Sequence, residues 1–354
     1  MDGNFFITLC AAFAGFLAPV FFYAGMVRNT PRFGQSENKS AFLPLIAVWI
    51  IISTVLYECL YDEKQFLGTL SFLELGVPLV VAAMLCVVRR RFLYPSLLIG
   101  AVIGTFIIPD AMLEEVVSLP VLYTKALIIA AWFLFSSIYR YADTGDGMLS
   151  LQSLTIAAGV AVLGIINAVP MFLGDLAIVY AAGLVAVLIF TFPPARIKFS
   201  TNDACSLGFV MFFLILRCFL EYAGECAAIF ALYLPVDVAW ALFLKVTFWN
   251  KYSDVRQNTA YYSVLDKGIS PLMAFYFACR VQIVLFFVGN IQAVIEHTIS
   301  LIGIAFLMTV WFIYKFRTLF ARTQSLRNIN RQVIEDLQER VNDIKEYIRK
   351  DENF

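Results

Sequence analysis

What most constrains this chain is the spacing of its polar breaks. They leave eleven mostly apolar runs, at about 5–27, 41–60, 66–88, 92–110, 121–139, 150–169, 175–193, 206–222, 226–246, 271–290 and 299–318. Each is close to the ~20 residues an α-helix needs to cross the hydrocarbon core of a bilayer. In lipid every backbone N–H and C=O must be satisfied internally, which such runs achieve as helices. The pattern therefore predicts an all-α fold, a polytopic membrane bundle of about eleven transmembrane helices. Composition agrees, with 61% hydrophobic and 15% charged residues, against about 25% charged in a soluble domain. Pro109, Pro120, Pro170, Gly174 and Pro193-Pro194 mark several of the breaks. No second domain interrupts the bundle, so 1–320 reads as one transmembrane domain and 321–354 as a helical tail. The first run has neither a basic stretch before it nor a small-residue cleavage site, which favours a first span over a removed signal.

Lysine and arginine in short loops set the expected orientation. One alternating set of loops holds Arg28, Arg32, Lys39, Arg89, Arg90, Arg91, Arg140, Arg196, Lys198, Lys245, Lys251, Arg256 and Lys267. The other holds only Lys64, beside Asp62, Glu63, Glu114, Glu115, Asp175 and Glu225. This asymmetry predicts the N-terminus outside and the C-terminus in the cytoplasm. Net charge is zero, which by itself indicates neither an acidic nor a basic partner; no nucleic acid is expected. The seven cysteines show no C-x-x-C pair and read as small core residues, and the lone His297 cannot form a histidine cluster.

Four ionisable residues fall inside runs. Such charges are costly in hydrocarbon and usually face the bundle interior or a wet cavity. Glu74, Arg217 and Arg280 read as interior pairs or a polar cleft, and Lys125, near a run's end, as a snorkelling side chain. Beyond the last run, Lys315, Arg317, Arg322, Arg327 and Arg331 suit anionic headgroups. Leu326, Ile329, Val333, Leu337, Val341, Ile344 and Ile348 recur at steps of three and four, as in an amphipathic helix. That helix would serve a partner, a second copy of the chain, or only solubility.

The chemistry-bearing stretch is 137–150, Ser-Ile-Tyr-Arg-Tyr-Ala-Asp-Thr-Gly-Asp-Gly-Met-Leu-Ser. Asp143 and Asp146 stand three apart, which puts both carboxylates on one side of a helical turn. Gly145 and Gly147 allow a tight reversal. Two acids there would suit Mg²⁺, which takes oxygen ligands; a solvated interhelical turn accounts for the same residues.

Three loop segments carry a resemblance. Ala142-Asp143-Thr144-Gly145-Asp146-Gly147-Met148 looks like one, and Phe192-Pro193-Pro194-Ala195-Arg196-Ile197-Lys198-Phe199 a second. Pro235 and Asp237, with Asp254-Val255-Arg256 and Leu265-Asp266-Lys267-Gly268-Ile269-Ser270-Pro271, trace the third. Together they resemble the polyprenyl-phosphate N-acetylhexosamine-1-phosphate transferases. That resemblance implies ten or eleven spans, a UDP-sugar and polyprenyl phosphate as substrates, Mg²⁺ as cofactor, and a role in lipid-linked glycans of the cell envelope such as lipopolysaccharide.

The chain departs from the family at its catalytic positions. The family's Asp-Asp pair after span three falls on Arg89-Arg90. Its His-x-His-His motif falls on Thr259-Ala260-Tyr261-Tyr262. Its acid after span seven survives only as Asp203, and an asparagine ahead of the first loop acid is Arg140. If the chain is active, Asp143, Asp146 and Asp203 are the catalytic candidates, with Asp146 and Asp203 as metal ligands. Arginines in place of acids would repel a cation, by several kcal/mol at a few ångströms in an effective dielectric of about 20. Arginines also bind phosphates well. Arg89, Arg90, Arg140, Arg196 and Lys198, with Thr259, Tyr261 and Tyr262, thus form a candidate phosphate-binding set, although cations are also ordinary at cytoplasmic loops. Three functions are expected in order: a catalytically impaired lipid-phosphate-binding scaffold or regulator working with a glycan-assembly protein, a divergent active transferase, and a transporter or lipid-binding protein on an inherited fold.

Overall fold

The computed structural model describes residues 3–29, 41–60, 72–142, 147–247, 255, 258–266, 268–295 and 300–318. Among the described residues 86% are helical and none lies in a strand. In chain order the helices are α1 (Gly3–Asn29), α2 (Leu43–Leu60), α3 (Phe72–Val87), α4 (Leu93–Ile107), α5 (Asp110–Val116), α6 (Val121–Ala142), α7 (Met148–Ile165), α8 (Met171–Thr191), α9 (Thr201–Leu220), α10 (Gly224–Ala231), α11 (Tyr233–Thr247), α12 (Ala260–Leu265) and α13 (Pro271–Val294). A last helix, α14, covers 302–318. A 3-10 turn at Arg90–Phe92 leads into α4.

Every expected apolar run meets helix. Seven helical stretches among the described residues are long and apolar enough to cross a membrane, and α10 with α11 makes an eighth if the pair is one span. The chain is thus an integral membrane protein by the length and apolarity of its helices. The helices α2 and α3 are shorter apolar ones.

Two of the departures from the expected run boundaries have a clear local reason. The run at 226–246 is two helices meeting at 54°. Pro235 has no N–H to give the carbonyl of Ala231, and its ring crowds that oxygen, so the helix cannot continue through Leu232. The nearby carbonyl of Phe230 is satisfied by the side-chain amide of Gln152, at 3.0 Å. The run at 206–222 starts earlier, at Thr201. Ser200 Oγ accepts the N–H of Asp203, and the Asp203 carboxylate accepts the N–H of Ser200, a capping box that satisfies two free donors of the first turn.

The bundle is built around α9, of which 89% of the apolar window is buried, against 22% for the peripheral α1. It packs on α3, α6, α7 and α10. Trp132 of α6 stacks on Phe209 with ring centroids 4.6 Å apart and donates its indole N–H to the Phe209 carbonyl at 3.1 Å. Where α7 and α8 cross, a Cβ on Gly164 would lie 2.4 Å from the α-carbon of Gly174. Without side chains there the two backbones touch, the packing that small residues permit between membrane helices.

The intramembrane charges resolve differently from one another. Glu74 and Arg217 pair at 2.8 Å, each side chain 4% exposed, and Arg217 also reaches Glu221 at 3.3 Å. Lys125 does not snorkel: it is buried and pairs with Asp110. Arg280 is not an interior residue. It is exposed on α13 with its guanidinium 5.5 Å over the ring of Phe277. The cysteines divide as well: Cys86, Cys205, Cys218 and Cys226 are buried, but Cys10 and Cys59 are exposed on the bundle's outside.

Candidate functional site

Hydrogen bonds gather the breaks of the basic set at one end of the bundle. The Asp203 carboxylate, at the start of α9, accepts the N–H groups of Ala41 (3.1 Å) and Phe42 (3.4 Å), just ahead of α2. Tyr23 of α1 donates to the Ala41 carbonyl at 2.6 Å. Asn202 donates to the carbonyls of Leu85 (3.1 Å) and Val88 (2.6 Å), holding the end of α3. Arg140, in the last turn of α6, donates to the Tyr94 hydroxyl on α4. Ser150 and Thr191 meet at 3.1 Å, joining the start of α7 to the end of α8. The acidic set meets at the other end, where Lys125 pairs with Asp110 and Tyr222 donates to the Glu115 carbonyl.

Cations line the rim of the first end. Arg89, Arg90 and Arg91 are exposed around the turn into α4, with Arg91 4.6 Å over the ring of Phe92. Between α8 and α9 the chain runs as a strap, fastened by Arg196 N–H (2.9 Å) and Ile197 N–H (3.2 Å) on the Phe190 carbonyl. Along it Ile197 and Phe199 point into the core while Arg196 and Lys198 alternate outward into the open. Phe92, Tyr94 and Phe192 expose apolar rings on the same rim. The rim thus presents unburied cations beside apolar surface, a combination suited to a phosphate carried on a lipid.

The carboxylates there behave oppositely. Asp203 is 0% exposed and points both oxygens at backbone N–H groups: Oδ2 takes those of Ser200 (3.0 Å) and Ala41, and Oδ1 that of Phe42. Asp237, 3% exposed on α11, accepts the N–H of Ala260 with Oδ1 at 2.8 Å and Oδ2 at 3.2 Å. Mg²⁺ needs several oxygen ligands. No three His, Cys, Asp or Glu side chains converge among the described residues, and Asp203 has its oxygens engaged. The described residues do not by themselves fit the ion. Asp143 and Asp146 lie outside the described residues.

A narrow cleft, with room for about one water, is lined by Tyr141, Met148, Gln152, Asp237, Thr259 and Tyr261 among others. Tyr141 and Met148 flank residues 143–146, so the chain enters and leaves that stretch at the cleft. Gly147 makes the return possible: its φ is +81°, and a Cβ there would lie 3.0–3.2 Å from Phe275, Leu188 and the Thr191 carbonyl. The structure therefore brings Thr259 and Tyr261 to the cleft, with Tyr262 half-buried beside them. Asp203 is instead built into the joint between α2 and α9.

Two residues lining the cleft, Gln152 and Asp237, and one behind it, Arg317, escaped the sequence reading as site residues. Gln152 reaches the Phe230 carbonyl and accepts from Gln282 of α13 at 2.5 Å, a polar contact inside an apolar bundle. Glutamines at positions 152 and 282, inside apolar runs, were the available signal. Asp237 marked a loop resemblance only. Arg317, expected to meet lipid headgroups, turns inward to the carbonyl of Asn258. The tail at 321–354 lies outside the described residues.

No family model matches the chain, and no curated protein matches it.

Proposed function

We propose that this protein binds a polyprenyl phosphate at the basic rim and serves lipid-linked glycan assembly as a scaffold or regulator rather than as a sugar-1-phosphate transferase. The observation that carries the reading is the division of labour at one end of the bundle. Its cations, Arg89, Arg90, Arg91, Arg196 and Lys198, are exposed, while Asp203 and Asp237 are buried against backbone N–H groups, which leaves Asp266, ahead of α13, as the exposed carboxylate among the described residues of that end. A phosphate would find partners there without a metal bridge. Eleven crossings, a cytoplasmic rim and a bacterial inner membrane belong to the same proposal, supported by the loop charges and by helix at each apolar run.

The test is equilibrium binding of undecaprenyl phosphate to the purified protein in detergent, with EDTA present. Binding that weakens when Arg89 and Arg90 are both changed to Gln supports the reading. Absence of binding, or binding that needs Mg²⁺, contradicts it.

One observation favours a second reading, a divergent active transferase using a UDP-sugar and Mg²⁺. Tyr141 and Met148 both line the cleft, so Asp143 and Asp146 belong to a stretch that starts and ends at its mouth. In that reading the two acids would hold the metal and Arg140 the transferred phosphate.

A further inference from the structure

The last helix reaches the cleft from behind. Ile313 and Phe316 of α14 belong to the apolar cluster that also holds Tyr233, Val236, Ala260, Tyr261 and Val264. One residue further on, Arg317 donates to the carbonyl of Asn258. Asp237 in turn holds the N–H of Ala260. The segment 258–261 is thus gripped at both ends, at Asn258 by the cation of α14 and at Ala260 by the carboxylate of α11. Between and after those two grips stand Thr259 and Tyr261, which form the cleft wall.

From this arrangement we infer that Arg317 is a positioning residue: through the Asn258 carbonyl it holds the same segment that Asp237 holds at Ala260, the segment that carries Thr259 and Tyr261, and so couples the seating of α14 to occupancy of the cleft. Asp237 is buried with both oxygens on the Ala260 N–H, and two residues earlier the Asn258 carbonyl takes the Arg317 guanidinium. A hydrogen bond from a charged donor is among the stronger ones a carbonyl can accept. Remove the cation and the segment keeps one grip of two, which loosens the wall between them. Coupling of this kind is reciprocal: whatever draws α14 away from α11 must open the wall, and a ligand bound against the wall must hold α14 down.

The statement about the wall stands on geometry alone, and the statement about a ligand rests on the function proposed above. Two readouts on the full chain in lipid nanodiscs separate them. The first is backbone amide exchange over 258–265 without ligand. Arg317→Gln is expected to raise it roughly tenfold, the scale of a lost hydrogen bond from a charged donor, while α7 at 148–165 is unchanged. Arg317→Lys, which keeps a charged donor, should recover most of the protection. In an Asp237→Ala background, where the grip at Ala260 is already released, Arg317→Gln should add less than about twofold. Unchanged exchange in Arg317→Gln, or equal effects in both backgrounds, overturns the inference. So does uniform loss of protection through α7, which marks general unfolding. The second readout is undecaprenyl phosphate, added to the wild type, slowing exchange over 258–265. Binding without any slowing overturns the ligand coupling, whereas no binding at all overturns the proposed function and leaves the first readout standing.

Discussion

Asp203 and Ala41 are separated by 162 positions in the chain and joined by a 3.1 Å hydrogen bond from the Ala41 N–H to the Asp203 carboxylate. With the capping contacts to Ser200, it fixes the entry of α2 against the start of α9. Removing the carboxylate takes the Asp203 half of the capping box and strands the buried N–H groups of Ala41 and Phe42 at about 1–3 kcal/mol each. Asp203→Ala should therefore destabilise the protein by about 2–6 kcal/mol, and Asp203→Asn, which keeps an acceptor, by less. Thermal unfolding in detergent checks this. A large loss of ligand binding at unchanged melting temperature would return Asp203 to the site.

The Glu74–Arg217 pair is expected to behave as a unit. Breaking a buried pair from one side leaves an uncompensated charge, at about 3–5 kcal/mol. Arg217→Met alone should destabilise on that scale, and Glu74→Gln in addition should recover a large part, with Glu221 left to reach solvent from its half-exposed position. Unfolding of the two single variants and the double variant provides the cycle. Additive losses would show that the pair carries no coupling.

Substitution at the crossing of α7 and α8 tests the helix spacing. A valine at Gly174 would drive its side chain into the Gly164 backbone. Overpacking costs about 1–3 kcal/mol and sometimes more, so Gly174→Val should lower the melting temperature clearly, whereas an alanine at Gly25, which has nothing within 4 Å of its Cβ, should leave it nearly unchanged. Melting curves that rank the two the other way would contradict this packing.

Gly147 gives a local test beside the cleft. An alanine there must take a φ of +81° and place its Cβ 3.0–3.2 Å from three neighbours. The left-handed backbone alone costs about 1–2 kcal/mol. Gly147→Ala should lower stability by at least that much and increase proteolysis of the 141–148 segment relative to wild type.

Apolar run length made most of the helical architecture legible, because a membrane leaves the backbone few options. Local chemistry that competes with run length was harder to see. Pro235 signals the break at Leu232, yet the run around it is apolar throughout and reads as continuous. Ser200-x-x-Asp203 is a plain capping signature, but reading Asp203 for its likeness to a catalytic acid hid its use as a cap. Glu74 and Arg217 were recognisable as interior charges from burial cost, while their mutual pairing depends on how α3 meets α9, which no local pattern encodes. Arg280 looked the same in sequence and turned outward, since a long side chain can lie over a ring such as Phe277 instead of entering the bundle. At the site, the rim cations followed from loop charge; the inward turn of Arg317 depends on α14 packing against α11 and α12.

If the basic rim holds a lipid phosphate without transferase chemistry, purified wild-type protein given UDP-N-acetylglucosamine, undecaprenyl phosphate and Mg²⁺ should release no UMP above an Asp146→Asn control, while undecaprenyl phosphate still binds. Mg²⁺-dependent UMP release that disappears in Asp146→Asn would contradict this and establish the active transferase instead.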